Sequence, residues 1–174
     1  MKKLYALRHG LTVMNMQSLV AGVTETPLTD AGRAQAKQAA LDIKQNGIVI
    51  DYIAVSQLER AQETARLIAA ELGTPKDKIY TSELLAERDF GELEGTPWSP
   101  DLQIDNIPGL ETDEMLVKRA QQAYTWLQSI SADDAVVLVV SHGALIRALR
   151  GVVLNELPLS YDFRAKNAEL IELA

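Results

Sequence analysis

Residues 135–143 read Ala-Val-Val-Leu-Val-Val-Ser-His-Gly, and this stretch decides the class of fold. Its first six residues are apolar and mostly β-branched, which predicts a strand over 135–140 that is covered on both faces. A helix over residues 144–154 is predicted directly after the Ser-His-Gly turn. A fully covered strand that leads straight into a helix is typical of a parallel sheet packed between two layers of helices.

The rest of the chain repeats this alternation of short strands and longer helices. Further strands are predicted over residues 2–7, 51–55, 79–81 and 169–173, and further helices over 29–46, 56–72 and 112–130. The pattern predicts an α/β fold, namely a three-layer sandwich with a mainly parallel central sheet. Because no linker-like or repeated segment interrupts the 174 residues, residues 1–174 are expected to form a single domain.

The composition narrows the classes of function. The net charge is −7 with no visible basic patch, which argues against a nucleic-acid partner. No apolar stretch approaches the length of a membrane span or of a signal peptide's hydrophobic region, so we expect a cytoplasmic location and no membrane partner. The chain has no cysteine, which excludes a disulfide and a thiolate nucleophile and fits a reducing compartment. The oligomeric state is left open, a homodimer included.

Only two histidines occur in the chain, and both follow predicted strands directly. His9 lies in Leu-Arg-His-Gly and His142 lies in Val-Ser-His-Gly. Because the carboxyl ends of parallel strands meet at the edge where such folds bind ligands, we expect the two imidazoles to lie close together. The glycines that follow them, Gly10 and Gly143, are expected to allow a sharp turn and the close approach of a ligand. The alternative is two unrelated histidines that stabilise loops.

Two arginines are expected at the same edge of the sheet. Arg8 adjoins His9, and Arg60 lies at the start of the helix after the second strand. Guanidinium groups offer forked donors that match phosphate oxygens, and a helix N-terminus favours an anion. The alternative for Arg60 is a place on the helix surface, paired with Glu59 or Glu63. An imidazole nucleophile beside two guanidiniums is suited to phosphoryl transfer.

Phosphoryl transfer from an ester also needs a proton for the departing alkoxide, and a carboxyl group is suited to supply it. The glycine-bearing segment 84–95 contains several carboxylates. Glu87 is the best-placed candidate, although composition alone does not separate it from Asp89, Glu92 or Glu94.

Six segments in order give the chain a resemblance to the histidine phosphatase superfamily, in the branch that includes cofactor-dependent phosphoglycerate mutases and related small phosphatases. Residues 8–15 resemble the family's Arg-His-Gly-Glu/Gln-Ser/Thr-x-x-Asn, and residues 56–65 are similar to its Ser-x-Leu-x-Arg-Ala-x-x-Thr-Ala. The other matching segments are 27–32, 87–95, 108–112 and 140–143. The resemblance spans essentially the whole chain and implies a phosphoglycerate mutase-like fold.

The resemblance also implies a role for each matched residue. His9 would be the nucleophile that forms a phosphohistidine, and Glu87 would be the general acid and then the base that activates water. No metal and no cofactor are expected, because the arginines and the second histidine supply the positive charge. The partner would be a small phosphorylated substrate. The residues that would hold it are Arg8, Asn15, Gly22, Arg60, His142 and Gly143.

Departures from the mutases favour hydrolysis over phosphoryl exchange. A mutase must hold a bisphosphate, which needs cations beyond the first pocket, but the chain has eight acidic residues and no Lys or Arg from Asp89 to Val117. Ala21 also lacks the hydroxyl that a mutase would use on its substrate, and Leu11 replaces the family's usual Glu or Gln. The sequence therefore predicts a metal-independent phosphomonoesterase acting on a small phosphorylated metabolite. Four alternatives stay open: a phosphoglycerate mutase, a metal hydrolase, a protein phosphohistidine phosphatase and a non-catalytic phospho-ligand-binding protein.

Overall fold

A five-stranded sheet forms the centre of the computed structural model, which describes residues 1, 3–99, 102, 104 and 106–174. Across the sheet the strand order is β3-β2-β4-β1-β5; the first four strands run parallel, and β5 pairs antiparallel with β1. Every predicted strand is present, with ends that differ by at most one residue. The strands are β1 (Lys3–Arg8), β2 (Tyr52–Ser56), β3 (Ile79–Ser82), β4 (Val136–Ser141) and β5 (Leu170–Glu172). Three residues used in the predictions lie outside the described part of the chain: Lys2 of the first predicted strand, and Asp101 and Asp105 among the eight acidic residues between Asp89 and Val117.

The described residues form five α-helices, of which the four longer ones are predicted by the sequence. Thr29 and Thr112 cap two of them, because their side chains accept the N–H groups of Gly32 and Met115. The third helix begins at Glu59 rather than at Ser56, since Ser56 still belongs to β2. None of these helices is both long and apolar enough to cross a membrane. The helices are α1 (Val13–Met16), α2 (Asp30–Gln45), α3 (Glu59–Leu72), α4 (Asp113–Ile130) and α5 (Gly143–Val153).

Strand β4 is buried on both faces, as its apolar run predicts. Val137 and Val139 pack on one side of the sheet with residues of α4 and α5. Leu138 and Val140 pack on the other side with residues of α2 and α3. Successive side chains of a strand point to opposite faces, so one apolar run serves both layers. The three-layer α/β sandwich is confirmed.

The connections after β1 and β4 place a crevice at the carboxyl end of the sheet. These two strands are neighbours, yet α2 follows β1 on one face and α5 follows β4 on the other. Ligands bind at such a switch point in open α/β sheets. The register pairs Arg8 with Ser141, so the next residues, His9 and His142, emerge side by side from adjacent strands.

Candidate active site

The two histidines lie next to each other at the end of the sheet. Their ring centroids are 5.1 Å apart and the rings are tilted by 58°. His9 is 3% exposed and His142 is 0% exposed, so both imidazoles are buried. The structure therefore brings the pair together as the sequence predicts, and the interpretation as two unrelated histidines is wrong.

The hydrogen bond of His9 fixes which ring nitrogen carries the proton. Its Nδ1 lies 2.8 Å from the carbonyl oxygen of Gly10. Because a carbonyl only accepts, Nδ1 carries the hydrogen and Nε2 keeps a free lone pair. Burial, together with the neighbouring Arg8 and Arg60, holds the pKa of His9 well below 6.5. The ring is therefore neutral at neutral pH and can act as a nucleophile through Nε2.

Backbone carbonyls hold the two predicted phosphate-binding arginines. Arg8 donates from Nη1 to the carbonyl of Ala165 at 3.1 Å. Arg60 donates from Nη1 to Thr24 at 2.9 Å and from Nη2 to Gly22 at 2.5 Å. Burial lowers the pKa of both guanidiniums from the ordinary value, which an arginine tolerates without losing its charge. Each side chain is thus oriented by the main chain.

The surface alternative for Arg60 is wrong, since this side chain is only 1% exposed. Glu63 instead pairs with Arg33 at 2.6 Å, and Glu59 pairs with Arg66. At the N-terminus of α3, where the sequence predicts that an anion is favoured, the structure places an anion of the chain itself. The carboxylate of Glu25 accepts the N–H of Glu59 there at 3.1 Å, so the chain itself supplies the anion.

Four buried side-chain nitrogens have no hydrogen-bond partner among the described residues. They are Arg8 Nε, Arg60 Nε, His142 Nδ1 and Arg147 Nε. A buried polar group without a partner costs about 1–3 kcal/mol, so such groups mark places where a ligand or an ordered water would bind. The first three belong to residues packed around His9. We call Arg8, His9, Arg60 and His142 the inner pocket.

His142 is held from the far side of its ring. Its Nε2 lies 2.8 Å from the hydroxyl of Ser56, which itself accepts the N–H of Leu58 at 3.2 Å. Burial is the main cause that places the pKa of His142 well below 6.5, and His9, Arg60 and Arg8 lower it further. Sequence reasoning missed Ser56 as a positioning group, although it opens the segment 56–65.

Glu87 is placed by the first turn of α5. Its Oε1 accepts the N–H groups of Ala144 at 3.1 Å and Leu145 at 3.3 Å. His142 is the N-cap residue of the same helix, so the carboxylate lies beside the inner pocket. Of the four candidate acids, all of which the structure describes, only Glu87 lines the cavity above this pocket.

That cavity has a volume of about 470 Å³, and its walls come from several segments. Asn15, Gly22 and Gly143 all line it, next to Arg8, His9 and Arg60. The sequence places the residues that choose the substrate in segments 16–26 and 92–110, and both contribute to the lining. Arg147 of helix α5 and the segment before β5 contribute as well, which the sequence analysis did not predict. We call the following lining residues the outer cavity: Trp98, Arg147, Tyr161, Phe163 and Arg164.

The outer cavity contains cations, contrary to the sequence expectation. The guanidinium of Arg147 lies 4.1 Å from the centre of the Tyr161 ring, and that of Arg164 lies 5.0 Å from the Trp98 ring. Both arginines come from outside the segment 89–117, so its lack of Lys and Arg does not describe the cavity. Arg147 follows Gly143 by four residues and therefore shares its helix face, a spacing that could have identified it. No sequence signal marks Arg164.

Asn15 is anchored beside His9. Its Oδ1 accepts the N–H of Thr12 and the side-chain amide of Asn167, both at 3.3 Å. Asn167 in turn donates to the carbonyl of His9 at 2.8 Å. Asn167, which the sequence does not single out, therefore ties the β5 end of the chain to the loop after β1.

The glycine after His9 has a different purpose from the expected one. A Cβ on Gly10 would lie 2.3 Å from the carbonyl oxygen of Gly32 in α2, which no side chain tolerates. Gly10 is therefore required for the close packing of α2, and the expectation that it admits a ligand is wrong. A Cβ on Gly143 would lie 3.7 Å from Arg8 Cζ, an ordinary contact.

Glu94 links the acid-bearing segment to the loop that holds Arg60. Its carboxylate accepts the N–H groups of Val23 and Thr24, each at 2.8 Å, and that of Phe90 at 3.2 Å. The loop fixed in this way supplies the Gly22 and Thr24 carbonyls that bind Arg60. Sequence reasoning considered Glu94 only as an acid, whereas the structure places it as a positioning residue.

Comparison with known families agrees with the motifs. The family model described as histidine phosphatase superfamily (branch 1) matches residues 4–174. The chain therefore belongs to the histidine phosphatase superfamily. In the described residues no group of three or more His, Cys, Asp or Glu side chains is placed to hold a metal ion.

Relatives by sequence carry names of both mutases and phosphatases. A 2,3-bisphosphoglycerate-dependent phosphoglycerate mutase of Beijerinckia indica is 32% identical over 84% of this chain and 78% of its own length. An uncharacterised phosphatase of Bacillus subtilis, PhoE, is 35% identical over 82% of this chain and 72% of its own. With the mutase of Parvibaculum lavamentivorans, 40% identical, the match spans only 53% of this chain and 44% of that protein.

Solved structures with the same fold include two phosphatases. A mycobacterial glucosyl-3-phosphoglycerate phosphatase complexed with VO3 has a TM-score of 0.82 and 26% identity, over 99% of this chain and 90% of that one. A phosphoserine phosphatase of Entamoeba histolytica in complex with phosphoserine has a TM-score of 0.81 and 27% identity, with the same shares covered. The fold is thus shared with proteins named for hydrolysis of phosphate esters.

Proposed function

We propose that this chain is a phosphomonoesterase that acts through a phosphohistidine on His9 and has a small phosphorylated metabolite as its substrate. One observation carries the proposal. The free lone pair of His9 Nε2 lies in a pocket where Arg8 Nε, Arg60 Nε and His142 Nδ1 are buried without partners. A phosphate group has enough oxygen acceptors to satisfy these nitrogens while its phosphorus faces the nucleophile.

In the first half of the reaction, His9 Nε2 attacks the phosphorus and the bond to the ester oxygen breaks. Arg8 and Arg60 donate to the equatorial oxygens, where negative charge is concentrated in the transition state. Glu87 gives its proton to the departing oxygen, so the product leaves as an alcohol. The phosphoryl group stays on His9.

In the second half, the Glu87 carboxylate accepts a proton from a water molecule as the water oxygen attacks the phosphorus. The bond between phosphorus and Nε2 breaks, which releases inorganic phosphate and restores both His9 and the protonated Glu87. The sum of the two halves is ester plus water to alcohol plus phosphate. The arginines supply the positive charge throughout, so we expect no requirement for a metal.

His142 and Asn15 complete the phosphate site in this proposal. When Ser56 donates its hydroxyl hydrogen to His142 Nε2, the proton of His142 sits on Nδ1 and can be donated to a phosphate oxygen. The Oδ1 of Asn15 is already engaged by Thr12 and Asn167, which leaves its amide hydrogens for the ligand.

The second candidate function is phosphoglycerate mutase. The names of several relatives favour it, and so do the additional cations Arg147 and Arg164 in the outer cavity. Hydrolysis is supported by the phosphatase structures, which cover 99% of this chain, and by Ala21, which offers no hydroxyl to the substrate. An assay with 3-phosphoglycerate, with and without 2,3-bisphosphoglycerate, separates the two: a hydrolase releases phosphate in both, whereas a mutase forms 2-phosphoglycerate only with the bisphosphate.

The test of the proposed function is hydrolysis of p-nitrophenyl phosphate by wild type and His9→Ala, in the presence of EDTA. We expect full wild-type activity in EDTA and a loss on the order of 10⁴-fold or more in His9→Ala. Thermal unfolding of both proteins checks that the variant is folded. Equal rates in the two proteins would overturn the mechanism, and activity abolished by EDTA would indicate a metal hydrolase instead. A wild type that binds phosphate esters without hydrolysing any would indicate a binding protein.

A further inference from the structure

Arg147 resembles the arginines of the inner pocket in the burial of its Nε. Its Nε is buried and has no partner among the described residues, as is true of Arg8 Nε and Arg60 Nε. Another arginine that lines the same cavity, Arg88, has partners for its donors. It donates from Nε to the Glu111 carbonyl at 2.7 Å and forms an ion pair with Asp113 at 2.9 Å. Arg147 therefore has the signature of a ligand-binding group.

Stacking does not use the hydrogen-bonding edges of either outer arginine. Arg147 lies over the ring of Tyr161 and Arg164 over the ring of Trp98. A guanidinium that stacks on an aromatic ring uses its flat face, while its N–H groups lie in the plane and point outward. Burial lowers the pKa of Arg147, and an anion bound beside it would offset this loss of hydration. Two stacked guanidiniums at one cavity thus favour an anionic ligand.

Much of the remaining lining is apolar, although Ser18, Arg88 and Ser99 also line the cavity. Residues that line the same space include Leu19, Val20, Phe90, Ile104 and Phe163. The cavity volume of about 470 Å³ lies within the range of pockets that enclose drug-sized ligands, and exceeds what a phosphate on a three-carbon chain would fill. An occupant with an apolar body would bury these side chains.

Helical geometry relates Arg147 to the reacting ester. Glu87 accepts the N–H of Ala144, and Arg147 lies three residues further along α5, on the same face. One turn of helix is about 5.4 Å, so the backbone of Arg147 lies about one turn beyond the Ala144 N–H that binds Glu87. The charge of Glu87 also acts on the Arg147 guanidinium. Arg147 is therefore on the leaving-group side of the site.

We propose that the outer cavity selects phosphomonoesters whose leaving group combines an apolar or aromatic body with a second anionic group, which Arg147 and Arg164 bind. The inference rests on the proposed function, because it assigns the leaving group of that reaction. The second anion is a carboxylate or another phosphate, since both accept forked donors from arginine.

The experiment compares kcat/KM for four esters: phenyl phosphate, 3-carboxyphenyl phosphate, 1,3-phenylene bisphosphate and 3-phosphoglycerate. The first two share one aromatic body and nearly one intrinsic reactivity, so their ratio reports the second anion alone. We expect wild type to prefer 3-carboxyphenyl phosphate over phenyl phosphate by about tenfold. The bisphosphate arm shows whether phosphate serves as well as carboxylate. We expect 3-phosphoglycerate to be a poorer substrate than 3-carboxyphenyl phosphate, since it has a carboxylate but no apolar body.

Variants test which residues cause the preference for 3-carboxyphenyl phosphate over phenyl phosphate. Arg147→Met keeps the apolar stem and removes the charge, and we expect the tenfold ratio to fall to about one to two. Arg66→Met, on the exposed face of α3, is the matched control and should keep the ratio. If Arg147→Met does not fold, the proposal is tested by the kcat/KM ratio of 3-carboxyphenyl phosphate to phenyl phosphate in wild type and in Arg164→Met. A wild-type ratio near one, or a ratio that both outer variants leave intact, overturns the proposal; 3-phosphoglycerate as the best of the four overturns the apolar part.

A binding measurement separates this proposal from the proposed function. Calorimetry with His9→Ala and the same phenyl and carboxyphenyl esters requires no turnover. A tenfold tighter binding of the carboxyphenyl ester supports the outer site even if wild type hydrolyses none of the four. Hydrolysis that depends on His9 but shows no such preference overturns the outer site and leaves the proposed function standing.

Discussion

The arginines of the inner pocket and those of the outer cavity are held in different ways. Arg8 and Arg60 donate to backbone carbonyls at 2.5–3.1 Å. These carbonyls belong to Gly22, Thr24 and Ala165, which lie in loops at the carboxyl end of the sheet. Arg147 and Arg164 instead lie on the rings of Tyr161 and Trp98. The first pair is fixed by the main chain, whereas the second pair depends on side chains that can change without changing the fold.

This difference suggests a division of labour within one cavity. Main-chain carbonyls position the groups that any phosphate ester needs, so the same chemistry can be performed on many leaving groups. Side-chain stacking positions the groups that contact only some leaving groups. A change in the inner pocket should therefore affect every substrate, and a change in the outer cavity should affect substrates unequally.

The largest effect is expected from the inner pocket. Arg60→Met should lower kcat/KM on the order of 10³-fold for every ester, because the guanidinium stabilises the transferring phosphoryl group. KM should rise and kcat should fall together, since phosphate is bound in both the ground and the transition state. Steady-state kinetics on three esters measures this, with Arg66→Met on the same helix as the control. A loss confined to one ester would contradict the division between the two regions.

Glu87→Gln should slow the first half-reaction, and the size of the loss should depend on how much the leaving group needs a proton. We expect a loss on the order of 10² for an alkyl phosphate, whose alkoxide needs a proton, and less than about threefold for p-nitrophenyl phosphate. Single-turnover release of the alcohol isolates this step from the later attack of water. Equal losses for both esters would show that Glu87 is not the acid.

Glu94→Gln should weaken the inner pocket without touching the substrate. The amide keeps one accepting oxygen but would present its NH2 group to either the Val23 or the Thr24 N–H, so the loop that holds Arg60 should shift. A small misplacement of a catalytic group is sufficient for about a tenfold loss of kcat/KM. We expect the inhibition constant of vanadate to rise in parallel, while Glu92→Gln, an exposed change in the same segment, leaves both unchanged. Unaltered vanadate binding in Glu94→Gln would contradict this coupling.

The buried histidines should also make folding stability depend on pH. The pKa of each is lowered in the folded protein, so below pH about 6.5 the unfolded chain binds protons that the folded chain does not. Stability should therefore fall as pH falls below about 6.5, by up to about 1.4 kcal/mol per pH unit for each histidine.

Urea unfolding between pH 7.5 and pH 5 measures this slope. Because His9 and His142 are the only histidines in the chain, His142→Gln should remove about half of it. A slope that is identical in wild type and His142→Gln would contradict the assignment.

The sequence predicted the inner pocket better than the outer cavity for a physical reason. His9 and His142 follow strands, and parallel strands in register deliver their next residues to one place. Tyr161 and Arg164 lie in an irregular segment with no periodicity. The contacts of Tyr161 with Arg147 and of Arg164 with Trp98 therefore depend on the whole tertiary structure. The same holds for Glu94, whose role became visible only through its partners in a distant loop.

The helices and strands were likewise predictable where the sequence carries a regular local pattern. The long helices and all strands were predictable from apolar periodicity and from capping residues such as Thr29 and Thr112. Helix α1, with four residues, is too short to leave a periodic pattern. The antiparallel direction of β5 was not predictable, because direction depends on the path of the preceding connector rather than on the strand's own residues.

The phosphohistidine on His9 is the central claim, and trapping it is the most direct test. Wild type and Glu87→Gln are mixed with p-nitrophenyl phosphate, whose leaving group needs no acid. The mixtures are quenched in alkali, in which phosphohistidine survives, and digested for mass spectrometry. We predict a phosphoryl group on the peptide that contains His9, with more of it in Glu87→Gln because the attack of water is slowed. Hydrolysis that proceeds with the phosphoryl group on another residue, or with none trapped in either protein, would contradict the account.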